Sequence, residues 1–260
     1  MRILMVGDIV GRPGRIFFRE TTQKLRREKN IDVVVANGEN MAHGKGLTRA
    51  TFEEVLSGGA DVVTTGNHIW DKKDVFEFID REPFLLRPAN YPEDAPGKGF
   101  CIYPHRAKNI GVINLSGRTF MEPLDSPFTR AKEILKEIRK ECDLILIDFH
   151  AEATSEKMAL AYFLDGEITA LVGTHTHVQT ADEKFLPKGT AYLSDLGMVG
   201  SENSILGVVP EEIIKKFVSC RPTKFEVGES PSIYCGLLID TDDKTDKPVK
   251  LERIFIHEKN

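Results

Sequence analysis

The side chains best suited to chemistry in this chain fall in five places: Asp8; Glu39 with Asn40; Asn67 with His68; His150; and His175 with His177. Leaving His68 aside, they are two carboxylates, two amides and three imidazoles. That is more donors than a single tetrahedral ion takes. The set suits two divalent ions sharing a bridging carboxylate, each with a position open to water or substrate. Oxygen and nitrogen donors without sulfur favour manganese, iron or zinc over copper(I) or an iron–sulfur cluster. Two such ions against two carboxylates leave a surplus of about two positive charges, which matches a hydroxide and an anionic phosphate.

What must position these donors is a set of short apolar runs. RILMV (2–6), DVVVA (32–36), DVVTT (61–65), DLILID (143–148) and ITALV (168–172) each predict a buried strand, and each is followed by one of the donor groups. In open α/β sheets the carboxyl ends of the strands form the crevice where ligands bind. A lone Asp or His after a strand is weak evidence; five such ends together are hard to explain as packing. Residues two apart in extended backbone project to one side, so His175 and His177 are expected to face the crevice together.

Between the strands lie amphipathic helix candidates over 14–29, 48–58, 73–80, 129–142, 155–166 and 210–220. In the fourth, Ala131, Ile134, Leu135 and Ile138 recur at helical spacing and predict a core-facing stripe. The βα alternation predicts a sheet with helices on its outer faces. Stretches 98–117 and 232–258 break the alternation and predict two hairpins, hence a mixed sheet or two packed sheets. Without repeats, low-complexity segments or a linker, the chain is expected to be one domain over 1–260.

Composition narrows the classes further. The 260 residues are 41% hydrophobic, enough for a substantial core, and the net charge of −5 argues against general adhesion to nucleic acid or anionic membranes. The start, MRILMVGDIV, is too short in its apolar run for a signal-peptide core or a membrane span. Four dispersed cysteines without a CxxC pair fit reduced, packed thiols in a cytoplasmic protein.

Taken in order, GD (7–8), GEN (38–40), GNH (66–68), His150 and GTHTH (173–177) resemble the motifs DxH, GDxxD, GNH[DE], H and GHxH of the calcineurin-like metallophosphoesterase superfamily. The chain is more similar still to the YmdB-like branch of bacterial phosphodiesterases, including NGENMAHGKG (37–46) and SDLGMVG (194–200), essentially along its whole length. The departures from the wider superfamily are specific. No histidine follows two residues after Asp8, the second motif is Gly38-Glu39-Asn40, and Gly173-Thr174 stands where a tighter glycine–histidine spacing is usual. The YmdB-like branch shares these changes.

The resemblance implies an α/β fold, a metallophosphoesterase-type four-layer αββα sandwich with mixed β-sheets. It implies a dinuclear, metal-dependent phosphodiesterase with two divalent or mixed-valence ions, iron or manganese by preference and zinc as an option. Asp8, Glu39, Asn40 and His177 would hold one ion; Glu39, Asn67, His150 and His175 the other. His175 and His177 would then bind different ions joined through Glu39. The implied substrates are small phosphodiesters, cyclic nucleotides above all (2′,3′-cyclic nucleotides, or cAMP and cGMP), with short RNA ends as a further candidate. Family habit adds a homo-oligomer.

A hydroxide bridging the ions is expected to attack phosphorus in line, and His68, immediately after Asn67, is assigned as the general acid for the leaving oxygen. Smaller expectations attach to Arg12, placed to meet a phosphate unless it only serves the helix-entry turn of Gly11, Pro13 and Gly14, and to His43 as a substrate contact on a glycine-rich loop. Trp70 and Asp71 are expected to pack and to cap a helix. The competing class is a regulatory protein that keeps the metal fold and acts by binding a nucleotide or a partner; the complete donor set with His68 speaks against it. An amidohydrolase would use an HxH pair from its first strand, whereas here the pair comes last.

Overall fold

The five apolar runs become strands because each is buried on both faces, which removes the usual alternation and leaves near-continuous hydrophobic segments. The computed structural model describes residues 1–259. In chain order the first half holds β1 (Arg2–Val6), β2 (Asp8–Ile9), α1 (Gly11–Lys29), β3 (Val33–Asn37), α2 (Arg49–Ser57), β4 (Val62–Thr64), β5 (Leu85–Leu86), β6 (Phe100–His105) and β7 (Lys108–Ser116). There follow α3 (Pro127–Ile138), β8 (Leu144–His150), α4 (Thr154–Phe163), β9 (Ala170–Thr174), β10 (Lys184–Phe185), β11 (Ala191–Leu193), β12 (Met198–Ser201), α5 (Pro210–Ser219), β13 (Ser232–Thr241) and β14 (Pro248–His257).

The strands form two mixed sheets. One runs β2-β12-β13-β1-β3-β4-β5 with β14 on the other side of β13, and the second runs β10-β11-β9-β8-β7-β6. Within the first, β1, β3 and β4 are mutually parallel, and within the second β7, β8 and β9 are. Both expected hairpins are present as the antiparallel pairs β6–β7 and β13–β14.

Three apolar clusters define the layers. Ile3, Met5, Val33 and Val35 of the first sheet meet Val112, Leu144, Leu146 and Val172 of the second, so the sheets pack face to face. The outer face of the first sheet is covered through Phe17, Phe18 and Leu25 of α1 and Phe52 and Val55 of α2. Ala131, Ile134, Leu135 and Ile138 of α3, with Leu160 and Ala161 of α4, cover the second. The result is the four-layer αββα sandwich with mixed sheets.

Two expectations change. Residues 73–80 form two 3₁₀ turns, Lys73–Glu77 and Ile79–Arg81, not an α-helix. The segment has no side-chain cap and is shorter than an isolated helix needs, and Val75 and Ile79 are drawn into the core as separate anchors. The strand expected over 143–148 also runs two residues further, so His150 ends β8 instead of following it. Among the described residues no helix is long and apolar enough to cross a membrane, and all four cysteines are free thiols.

Candidate metal centre

Because β1, β3 and β4 are parallel and β8 and β9 are parallel, their carboxyl ends lie along common sheet edges, and the five donor groups converge there between the sheets. Close packing at this edge requires glycine. A Cβ on Gly66 would overlap the His150 ring and the Glu39 carboxylate, and one on Gly7 would overlap the Gly197 carbonyl. Asp8 is set by its backbone N–H donating to Gly197 O at 3.0 Å. Glu39 is set from both ends: its N–H donates to Asn37 Oδ1 at 3.1 Å, and its Oε2 accepts from the His68 backbone N–H at 3.2 Å.

His175 and His177 reach the crevice from a loop and not from extended strand backbone. The strand stops at Thr174, and both histidines adopt left-handed backbone, φ 101° and 64°. Such angles are uncommon for residues with a Cβ and persist only where surroundings enforce them. Here Asp195 enforces them. Its Oδ2 accepts from the backbone N–H of Thr176, between the two histidines, at 3.1 Å, and from Lys157 Nζ at 2.7 Å. His175 N–H donates to Asp8 Oδ2 at 3.2 Å, tying the loop to β2.

The donors form two groups that share one residue. Ligand atoms of Glu39, His150 and His175 lie within 4.8 Å of one another, as do those of Asp8, Glu39 and His177. In the first group His150 Nε2 is 3.0 Å from His175 Nδ1, 3.1 Å from Asn67 Oδ1 and 3.2 Å from Glu39 Oε2. Donors about 2.1 Å from an ion and at right angles to each other lie about 3 Å apart, so this spacing fits one coordination sphere. In the second, Asp8 Oδ1 is fully buried without a hydrogen-bond partner among the described residues and lies 3.9 Å from His177 Nε2. The Asn40 amide nitrogen is 2.9 Å from Glu39 Oε1 and 3.1 Å from His177 Nε2. A half-turn of that amide would bring its oxygen to the same point.

The outward ring nitrogens fix the tautomers. His150 Nδ1 donates to the Thr174 hydroxyl at 2.9 Å, which itself donates to Asp148. His175 Nε2 faces the Glu152 carboxylate at 3.0 Å, and His177 Nδ1 donates to Leu206 O at 3.0 Å. In the neutral rings the inward nitrogens, His150 Nε2, His175 Nδ1 and His177 Nε2, are thereby left as lone-pair donors, the arrangement that metal-ligating histidines require. Three electron-rich atoms, His175 Nδ1, Asn67 Oδ1 and Glu39 Oε2, crowd His150 Nε2 and call for a positive charge at that point.

The titration behaviour has the same origin. Burial pushes the Asp8 carboxyl up to about 7, against the pull of His177 and His150. Burial would lower His150, but Glu39, Asp8 and Asp148 outweigh it and raise the ring to about 9, so a proton takes the place a cation would hold. Burial would raise Glu39, and the charge and hydrogen bond of His150 instead keep it well below the usual carboxylate range. Burial and the neighbouring His150 charge lower His175 to about 3.

His68 stands at the rim. Its Nδ1 lies 3.0 Å from Asp71 Oδ2, which orients the ring. Asp71 therefore serves His68 and caps no helix, while Trp70 packs as expected, stacked on Phe76 and edge-on to Tyr91. His43 is exposed with left-handed backbone (φ 58°) on the loop after Asn40. Arg12 does not join the cluster. It is exposed on the first turn of α1 and lines a separate cavity with Ile16, Glu229 and Glu258. Its neighbours explain the GRPG motif: Gly11 has φ +62°, and a Cβ on Gly14 would overlap Val199 O. Four residues the donor pattern did not single out complete the centre: Asp148, Thr174, Lys157 and Asp195. Their signal was an Asp or Thr in or at the end of an apolar strand and the SDLG turn; Lys157 left none.

The fold is that of the metallophosphoesterases, and the relatives that follow make the chain a phosphoric diester hydrolase. The YmdB-like protein family profile matches residues 4–254. A 2′,3′-cyclic-nucleotide 2′-phosphodiesterase of Bacillus subtilis is 52% identical over 258 residues, 99% of this chain and 98% of that one. A structure of a hypothetical protein from Thermus thermophilus matches with TM-score 0.94 and 39% identity over the full length of both chains. A structure titled as a novel phosphatase of Mycoplasma pneumoniae matches with TM-score 0.93 and 34% identity, covering 99% of this chain and 94% of that one. The chain belongs to the YmdB-like family.

Proposed function

We propose that this chain hydrolyses 2′,3′-cyclic nucleotides with two metal ions held side by side, one by Asp8, Glu39, Asn40 and His177, the other by Glu39, Asn67, His150 and His175. The observation that carries the reading is the set of inward lone pairs. Three imidazoles, each with its outer nitrogen engaged, turn the other nitrogen toward two donor groups that share Glu39. Oxygen and nitrogen donors without sulfur support iron, manganese or zinc. Such a pair of ions supplies Lewis acidity for the phosphoryl oxygens and acidifies a water at neutral pH. The protein's own share is positioning and proton transfer. Glu39 is held by the His68 backbone, and the His68 ring, oriented by Asp71, would give its proton to the leaving oxygen.

The substrate class follows the Bacillus relative, and the buried, positive character of a loaded site inside an acidic chain supports an anionic diester. The test combines metal analysis of purified protein with hydrolysis of 2′,3′-cyclic nucleotides and of bis- and mono-(4-nitrophenyl) phosphate, with and without chelator. Diester preference that chelation abolishes is expected. Two bound ions with no hydrolysis of any phosphate ester would overturn the proposal.

A further inference from the structure

A cavity of about 290 Å³ opens beside the metal centre, lined by Asn67 and His175 of the donor set together with Phe120, Met121 and Glu122. Phe120 is 89% exposed, the most exposed of the large apolar side chains, and it holds left-handed backbone at φ 63°. A single exposed apolar residue needs no explanation, but a bulky aromatic at that φ is a true outlier. The loop between β7 and α3 enforces it. The Glu156 carboxylate accepts from the backbone N–H groups of both Arg118 and Thr119 at 3.1–3.2 Å, and Met121 N–H closes a turn onto Arg118 O at 3.3 Å. The Met121 sulfur accepts from Glu152 N–H at 3.3 Å, and Glu152 is the residue that faces His175 Nε2. A strained, solvent-exposed ring is thus fixed to the same elements that fix a ligand of the centre.

The cavity lining offers no cationic side chain for a second phosphate. Among the described residues that line it the only formal charge is that of Glu122, and the Glu152 carboxylate is 3.0 Å from His175 Nε2. A neutral, flat, polarisable group suits it, because every nucleobase offers a π-face to an aromatic side chain whatever its edge. The geometry points to Phe120 as the platform on which the base of the substrate stacks while its cyclic phosphate lies at the metal centre. This inference rests on the cyclic-nucleotide reading above. It assigns Phe120 a role in binding the base, not in the chemical step, and it implies acceptance of all four bases with weak discrimination among them.

The experiment compares wild type, Phe120→Ala and Phe120→Trp on a nucleoside 2′,3′-cyclic phosphate and on ribose 2′,3′-cyclic phosphate, which has no base. At 89% exposure the ring contributes little to the core, so both variants are expected to fold. For Phe120→Ala the KM for the nucleotide is expected to rise roughly 5- to 100-fold with kcat little changed, the range that base–aromatic stacking gives. On the base-less ester it should match wild type, and Phe120→Trp should restore the nucleotide KM. Equal loss on both esters, or no change on the nucleotide, overturns the stacking role and leaves the phosphodiesterase reading intact. Failure of the wild type to hydrolyse either ester overturns both.

Discussion

The hydroxyl of Thr174 lies 2.9 Å from Nδ1 of His150, and because it already donates to Asp148 Oδ1 at 2.7 Å it accepts from the ring. Asp148 is buried and also accepts from Asn37 Nδ2 at 3.0 Å, so one carboxylate between the sheets anchors the ring from below. Thr174→Val keeps the shape and removes the relay. Ion affinity is expected to fall by about 10- to 100-fold, the usual loss when a ligand's supporting partner is removed. Stability should fall by about 1–3 kcal/mol from the unpaired buried groups. Metal titration followed by activity at saturating metal checks this, since saturation should restore most of kcat. Unchanged affinity would mean that Thr174 only packs.

Ion binding must expel protons, and the two ions should differ in how far pH helps them. Without ions His150 titrates near 9 and Asp8 near 7, both raised above their ordinary values. Each group binds an ion only when deprotonated. The sign is therefore an affinity that climbs as pH rises and flattens above the raised value. The ion held by His150 should gain roughly tenfold per pH unit up to about 9, while the one held by Asp8 gains only up to about 7. Calorimetric titration between about pH 6 and 10, in buffers of different ionisation enthalpy, measures the protons released. Affinities independent of pH across that range would contradict the picture.

The strand order of the site was legible because the chemistry is written at strand ends. Asp8, Glu39, Asn67 and His175 each follow a run of apolar residues, and buried strands leave such runs in sequence. The histidine pair was legible as a pair but not in its geometry. Extended backbone was the simplest assumption, and the left-handed turns come from Asp195, 19 residues downstream of its partner Thr176. Asp71 went astray for a related reason: next to an expected helix it looked like a cap, but the cap position falls on Lys72 and Asp71 pairs with His68 instead. Arg12 followed a ligand in sequence, but α1 carries it to another face. Contacts set by tertiary structure leave no local spacing to read.

The Lys157–Asp195 pair is the largest electrostatic commitment outside the donor set, with both side chains at most 2% exposed and 2.7 Å apart. Asp195→Asn leaves the ammonium without its partner, and a loss of about 3–5 kcal/mol is expected. Lys157→Met should cost a similar amount, and the double variant less than the sum. Denaturant unfolding of the four proteins provides the cycle. Because Asp195 also holds Thr176 between the histidines, Asp195→Asn should lower ion affinity more than Lys157→Met does. Equal ion affinities would show that the pair acts on stability alone.

His68 contributes to the centre through two separate groups, and one substitution separates them. Its backbone N–H holds Glu39 Oε2, and its side chain pairs with Asp71. His68→Ala keeps the first and deletes the second, so both ions are expected to remain bound. Turnover of esters with poor leaving groups should drop by about 10²- to 10⁴-fold, the range for a lost general acid. Nitrophenyl esters, whose leaving group needs no proton, should lose far less. Asp71→Asn, which keeps the ring but weakens its orientation, should fall between wild type and His68→Ala on the poor leaving groups and leave nitrophenyl turnover near wild type. The measurement is kcat across a leaving-group series, with metal content determined on the same samples. Loss of metal in step with activity would assign the His68 ring to the ion sites, and an equal loss across all leaving groups would remove its role as the acid.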